Sequence, residues 1–547
     1  MRLLTTCHKE QEMSQTASVQ EFGKIRSILW PVYGHELKKI IPMILIFFLI
    51  TFNYNFLRNA KDAMVITAQN SDAGVIPFIK VWALLPMAFV MTFIFTRLAN
   101  RFRKEVIFYW MVSIFIGFFF LFITVLYPLR DYLHPTDLAD KMALYLPSGL
   151  KGFVAMFRNW TFTLFYVMSE LWGSIMLQLL FWGFANDVTN VKDAKRFYGL
   201  FGIGANFSGI FAGQASMYLS SIASTNLFAF SGMSAWTQSL VLLHVIVILV
   251  GLGIIAVFRW LNVNVIAKEP LGQTVSKFKK PKIKMSMKEN FSYLAKSKYL
   301  ICIAVIVLVY NVVINLTEVV WKAQVHRMYT DNIQYQAYMG KVATITCIVA
   351  TLTAFFITSN VIRKTGWTVS ALITPIVLLL TTIGFFSFLL FDSLGAFVAP
   401  LLHTTPFALA LFFGTCQNCM SRAAKYTLFD ATKEMTFIPL SQESKIKGKA
   451  AIDGVGSRLG KSGGAMIYHL LLLFIPLTQV APYVAVLLIG FIGAWIASVK
   501  NLGKLFNKQA TLNESEEKVK TLKEQAQLQS ILKEEKAEEE ETLVTKL

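Results

Sequence analysis

The chain has 547 residues, of which 55% are hydrophobic and only 15% charged, and its formal net charge is +20. A soluble protein of this length could not hide so much apolar surface, so the composition reads as a polytopic membrane protein and argues against a soluble enzyme. The basic surplus does not indicate nucleic acid, because Lys and Arg gather between apolar runs, where orientation in the membrane explains them.

The first residues, 1–39, are polar and read as a cytoplasmic N-terminal segment without a cleavable signal peptide. A spanning helix needs ~20 largely apolar residues. Twelve segments qualify, at approximately 40–60, 76–97, 106–127, 160–185, 197–220, 238–260, 299–321, 340–360, 368–391, 396–418, 452–475 and 481–500, with an interfacial helix suggested at 145–160. The expected fold is therefore an all-α polytopic membrane protein with twelve transmembrane helices. An N-terminal six-helix bundle spans 40–260 and a C-terminal one 299–500, joined by a basic cytoplasmic linker at 261–298. A charged cytoplasmic tail, 501–547, turns Glu/Lys/Gln-rich from Asn513 onward.

Sidedness follows from the basic residues. Arg97, Arg101, Arg103 and Lys104 follow the second segment, Lys192, Lys195 and Arg196 the fourth, and Arg363-Lys364 the eighth. The linker carries Lys268 and the lysines from Lys277 to Lys298, whereas 68–75 has no Lys or Arg and 221–237 no charge at all. Both termini and the linker are expected on the cytoplasmic side.

The halves repeat. Tyr54-Asn55, Asn59 and Lys61-Asp62 in the first segment answer to Tyr310-Asn311, Asn315 and Thr317-Glu318 in the seventh. Gly202-Ile203-Gly204 answers to Gly454-Val455-Gly456. A membrane chain with two pseudo-symmetric halves reads as a transporter that holds its substrate between them near mid-bilayer.

Ionisable residues inside spans are costly, and they default to function or to pairing. Arg58 and Lys61 are three apart and share a helix face. Two cations with an amide, Asn55, suit a phosphate chain, although snorkelling interfacial cations would give the same pattern. Glu170 shares a face with Tyr166, four residues earlier. A carboxylate there could pair with a cation, bind a substrate hydroxyl or amine, or carry a proton. Asn311, Asn315, Glu318 and Lys322 form one polar stripe, more than a neutral Glu–Lys pair requires, and read as a cavity lining.

In the eleventh segment, Gly456, Gly460 and Gly464 permit close helix contact, matched by Ala205, Gly209 and Gly213 in the fifth. Arg458 and Lys461 beside that stripe form a second candidate phosphate clamp. Gly460-Lys461-Ser462 is not a P-loop, because Val455 stands where the first glycine is needed and no βαβ unit surrounds it. Cys7, Cys302, Cys347, Cys416 and Cys419 give no disulfide framework, and Cys416-Gln417-Asn418-Cys419 is a lone CxxC without a second pair. No catalytic set, metal site or cofactor site is expected, nor a nucleotide-hydrolysing domain, so transport must draw on gradients.

Longer motifs add to this reading. Glu36-Leu37-Lys38-Lys39, Asn53 to Asp62, Ser169-Glu170-Leu171-Trp172-Gly173 and Leu180 to Asn186 lie in the first half. Lys425 to Lys433, Ile438-Pro439-Leu440, Lys447 to Ala451 and Leu459 to Gly464 lie in the second. In these stretches the chain resembles the bacterial and plastid ATP/ADP translocase family, the nucleotide transporters of obligate intracellular bacteria such as chlamydiae, from about residue 24 to 505. The resemblance implies a major-facilitator-like fold and import of host ATP in exchange for ADP. The family's charged residues needed for transport map onto Lys61, Glu170, Glu318 and Lys461.

The expected partners are ATP and ADP as transported substrates and the lipid bilayer, in a monomeric, multi-pass protein of the bacterial inner membrane. Arg58 and Lys61 would clamp the phosphates with Lys461 and Arg458 of the other half. Tyr166, Asn206 and Asn311 would hold base and ribose, and Glu170, Glu318 and Lys322 complete the expected site. The alternative within the same family is a proton-coupled nucleotide symporter with Glu170 or Glu318 as the coupling carboxylate.

Overall fold

The computed structural model describes residues 30–544 apart from 31, 190, 225–231, 269–296, 357, 402, 441–447, 449–451 and 453–456. Among these the chain is helical, with no strand. In lipid a helix satisfies its own backbone, which is why apolar segments of this length fold this way. The first half comprises α1 (Leu37–Ile66), α2 (Val75–Phe78, a π-helical stretch at Ile79–Leu84, then Leu85–Arg101) and α3 (Lys104–Leu121). It continues with α4 (Thr136–Tyr145), α5 (Lys151–Arg158), α6 (Trp160–Trp172, continued by Gly173–Phe181 and Trp182–Val188), α7 (Val191–Ser224) and α8 (Ala235–Asn264). The second half comprises α9 (Lys298–Met328), α10 (Asn332–Phe356), α11 (Thr358–Leu390), α12 (Asp392–Leu401), α13 (Pro406–Ala424, continued by Lys425–Phe429 and Asp430–Thr436), α14 (Ser457–Phe474) and α15 (Ala481–Val544).

Helix starts follow local chemistry. The Ser234 hydroxyl accepts from Thr237 N at 3.2 Å to cap α8, and Ser297 accepts from Leu300 N at 3.4 Å to cap α9. Thr405 caps α13 through Ala408 N at 3.2 Å, with Pro406 at the first helical position, where its missing N–H costs nothing. α11 bends at Gly366, whose φ of 75° suits glycine, and the charged tail continues α15.

Nine helices among the described residues are long and apolar enough to cross a membrane, against the twelve expected. The remaining three expected segments, 197–220, 396–418 and 452–475, are interrupted or rich in small and polar residues such as Asn206, Ser208, Gly209, Gln417, Asn418, Gly460 and Gly464. Helices that pack against other helices need less apolar surface than helices that face lipid. The outward side chains are apolar: Phe89, Phe93, Trp110, Phe120 and Leu380 are all exposed, as a lipid-facing surface requires.

The contact pattern repeats with the sequence. In the first half α1 packs against α6, α7 and α8, and in the second α9 packs against α13, α14 and α15. Trp172 donates its indole N–H to Ile50 O at 3.0 Å, and Tyr310 donates its hydroxyl to Ser421 O at 3.2 Å. Small residues set the closest approaches. A Cβ on Gly464 would lie 2.9 Å from Asn315 Cβ and 3.2 Å from Val312 Cα. Because backbone of α9 is part of that wall, Gly464→Val is expected to destabilise by about 1–3 kcal/mol through overpacking, read as a lower unfolding midpoint in detergent.

The halves meet along α7 and α10, where a Cβ on Gly213 would stand 2.6 Å from Gly340 O. They also meet where Phe78 packs edge-on against His469 at 4.3 Å and Gly149 presses on the Leu473 backbone. These last contacts lie at the end of the molecule opposite the linker, beside the 67–74 turn.

Candidate functional site

About two thirds of the way along α9 from its linker end, a cluster of charged side chains joins the halves. Its origin is the polar stripe of α9. Asn315 Oδ1 accepts from Lys80 Nζ of α2 at 2.8 Å. Glu318 Oε1 is 3.4 Å from Arg58 of α1, 3.0 Å from Arg422 of α13 and 3.0 Å from Lys322 one turn on; its Oε2 is 4.0 Å from Lys80. Lys322 reaches across to Asp62 Oδ2 of α1 at 2.7 Å. Lys61 pairs with Asp62 Oδ1 at 2.7 Å and with Glu170 of α6 at 3.0 Å, while its ammonium lies 3.8 Å from the centre of the Tyr166 ring. One continuous network thus links α1, α2 and α6 with α9 and α13.

Two features of the network decide what it can do. Among the described side chains it contains five cations (Arg58, Lys61, Lys80, Lys322, Arg422) and three carboxylates (Asp62, Glu170, Glu318), a formal surplus of two positive charges. Its members are also graded in exposure. The Asp62 and Lys322 side chains are 0% and 2% exposed and Lys61 is 2%, whereas Arg58 and Glu170 are each 25% exposed. The buried members form a dry pair across the halves. The partly exposed ones, with Lys80 and Arg422, form a wettable face.

The repeat also orders the pairing. Asp62 and Glu318 occupy equivalent places, and each carboxylate holds a cation from the other half: Lys322 for Asp62 and Arg58 for Glu318. Breaking a buried pair leaves a bare charge, which is strongly unfavourable. Such contacts therefore hold the two halves together at this level.

The helices around the cluster depart from regular α geometry beside their charges. Lys80 lies inside the π-helical stretch of α2, Glu170 three residues before that of α6, and Arg422 three before that of α13. Single π turns mark places where a helix is locally distorted, often at functional sites.

Of the residues expected from the sequence, Arg58, Lys61, Glu170, Glu318 and Lys322 come together in this cluster. Tyr166 is wholly buried with its ring against Lys61, so in this conformation it supports that cation and is closed to solvent. Asn311 is also turned away. Its amide donates to Val307 O at 2.8 Å, and its Cβ faces Gly460 of α14. Asn206 is half-buried on α7. The side chains of Arg458 and Lys461 lie outside the described residues, but Gly460 and Gly464 seat α14 against α9 beside Asn311 and Asn315. Sequence reasoning missed Lys80 and Arg422. Lys80 is a cation inside an apolar segment, the same signal that singled out Arg58, whereas Arg422 lies four residues past the expected 396–418 span, after Gln417 and Asn418. The CxxC cysteines take no part: Cys419 is buried and accepts from Thr346, and both are free thiols.

Comparison with known proteins bears on this geometry. The chain is 12% identical to a bacterial homologue of the iron transporter ferroportin solved in an inward-facing state, with a TM-score of 0.50 over 87% of this chain and 99% of that one. That likeness shows the fold alone. The chain is 46% identical over 499 residues to ADP,ATP carrier protein 1 of Chlamydia pneumoniae, covering 90% of this chain and 96% of the relative. It is 44% identical over 492 residues to the chloroplastic ADP,ATP carrier protein 1 of Arabidopsis thaliana, covering 89% of this chain and 77% of the relative. The family model described as TLC ATP/ADP transporter matches residues 15–506, and with these relatives it shows that the chain belongs to the TLC ATP/ADP transporter family.

Proposed function

We propose that the chain is an antiporter of the bacterial inner membrane that takes up ATP in exchange for ADP by alternating access. The observation that carries this reading is the positively charged cluster spanning both halves, in a chain whose relatives are named ADP,ATP carriers. A nucleoside di- or triphosphate brings several negative charges, which the formal surplus of the cluster would balance. Guanidinium groups bind phosphate oxygens in pairs, and lysines act as point charges beside them.

In this reading the partly exposed Arg58 meets the phosphates first, with Lys61 held ready by Tyr166, Asp62 and Glu170. Lys461 and Arg458 on α14 close on the chain from the other half. Asn206 and Asn311 serve base and ribose, Asn311 once α14 moves off it. The contacts opposite the linker describe a carrier closed at that end, with Asp62–Lys322 as its dry lock. Opening there separates the halves at this pair, while closing the linker end on an empty site brings unneutralised cations together. Both steps favour a loaded carrier, which gives exchange in place of one-way flow. Termini and linker are placed in the cytoplasm, and the unit is a monomer.

Uptake of labelled ATP into proteoliposomes preloaded with ADP, AMP, GTP or nothing tests the reading. Uptake should require preloaded ADP. Uptake into empty vesicles, driven by an imposed proton gradient, would favour the proton-coupled alternative, with Glu170 as the partly exposed carboxylate. In the same assay Lys61→Ala or Lys461→Ala should lower exchange at least a hundredfold, about 3 kcal/mol, in correctly inserted protein. Wild-type rates in either variant would sink the clamp.

A further inference from the structure

Glu318 is over-supplied with cations. A single Glu–Lys pair one helical turn apart, with Lys322, would neutralise it. Yet Arg58, Arg422 and Lys80 also converge on the same carboxylate, at 3.4, 3.0 and 4.0 Å, from three other helices in both halves. These four cations are not equally accessible. Lys322 is 2% exposed, whereas Arg58, Lys80 and Arg422 are 25%, 18% and 16% exposed. Solvent reaches the three open cations in part, whereas the closed one sits against Asp62. Among the described residues Arg422 has this carboxylate as its one ionic partner, and Lys80 also donates to the neutral Asn315 amide oxygen.

From this arrangement we infer that Arg58, Lys80 and Arg422 form a phosphate-receiving face on which Glu318 is the resident anion. The arriving polyphosphate displaces the carboxylate from these three cations and leaves it on Lys322. The inference rests on the exchange reading above and adds Lys80 and Arg422 to the binding residues. A carboxylate and a terminal phosphate present similar oxygens to a guanidinium, but the phosphate carries more charge and more acceptor oxygens, so the replacement runs downhill. With no substrate, Glu318 keeps like charges from facing one another across a poorly hydrated gap. The exchange of partners also reaches the lock. Lys322 is shared between Glu318 at 3.0 Å and Asp62 at 2.7 Å, so a carboxylate that has lost its other partners draws Lys322 more strongly and loosens its hold on Asp62. Phosphate arrival is thereby converted into weaker closure at the far end.

The test is equilibrium binding of ADP and of inorganic tripolyphosphate to the full-length protein in detergent, at fixed ionic strength. Arg422→Gln and Lys80→Gln should each raise Kd tenfold or more for both probes. Glu318→Gln should lower Kd about tenfold, because nothing has to be displaced, while exchange slows; the gain should shrink in an Arg422→Gln background, since the two residues share one interaction. Should Glu318→Gln fail to fold, Glu318→Asp keeps the charge on a shorter arm and should also tighten binding, by less. Unchanged Kd in the Arg422 and Lys80 variants, or weakened or unchanged binding in the Glu318 variants, overturns the proposal, even if their unfolding temperatures fall. A wild-type protein that binds tripolyphosphate in the predicted manner but shows no ADP-dependent ATP uptake supports the phosphate face and sinks the exchange reading instead.

Discussion

Asp62→Asn is expected to cost about 3–5 kcal/mol of stability, more than the loss of any one cation of the cluster. The asymmetry follows from the charge count. Removing a carboxylate from a network already short of anions leaves Lys61 and Lys322, both 2% exposed, facing each other with one carboxylate fewer. Lys322→Gln removes positive charge, and Asp62 keeps Lys61 at 2.7 Å while Glu318 keeps Arg58 and Arg422. Its cost should therefore be the smaller of the two. The double variant Asp62→Asn with Lys322→Gln should recover part of the loss, because the stranded ammonium has gone with its partner. Chemical unfolding in detergent measures all three. Equal costs for the two single variants would mean that the surplus of positive charge is not felt inside the cluster. Exchange should be abolished in Asp62→Asn, since the pair that closes the far end is missing.

Gly213→Leu is expected to reduce exchange at least a hundredfold without preventing insertion. The α7–α10 contact is made by backbone against backbone: the atom nearest to a new Cβ, apart from the Thr344 side chain, is Gly340 O at 2.6 Å. A flexible side chain could turn aside, but a helix backbone cannot, so the halves must separate along this line. The variant should accumulate with the end opposite the linker open. A cysteine placed at Leu473, against Gly149, should then react with a membrane-impermeant maleimide more than tenfold faster than in the Gly213 parent. Unchanged labelling with unchanged exchange would show that α7 and α10 need not approach this closely during the cycle.

Much of the frame was legible in the sequence because it rests on signals that survive without coordinates. Apolar length marks helices, and the repeat of Tyr54 and Asp62 at Tyr310 and Glu318 marks two related halves whose contacts prove to repeat as well. Charges in apolar segments led to Arg58, Lys61, Glu170, Glu318 and Lys322, which the fold gathers into one network. Lys80 and Arg422 were passed over, and of the two only Lys80 lay inside an expected span. Lys80 sits near the start of its segment, where a lone cation reads as interfacial, and Arg422 lies four residues beyond the end of the expected 396–418 segment, which is rich in polar residues. Only the folded chain shows that α2 and α13 deliver both to Glu318. Tyr166 illustrates the converse. Its spacing from Glu170 placed it on the right face, but spacing cannot tell a ring that meets a substrate from one that lies beneath a lysine. The count of spans was less legible, because 197–220, 396–418 and 452–475 are not among the nine helices long and apolar enough to cross a membrane in the described residues.

The π-helical stretches beside Lys80, Glu170 and Arg422 give the charged core a kind of slack. Each wider turn accommodates an additional residue that a regular helix would have to pass along its length. Shifting that residue by one position rotates the intervening side chains by about 100° around the axis while the ends of the helix stay fixed. Charges can thus be re-aimed from within, and the surface that meets the lipid need not move with them.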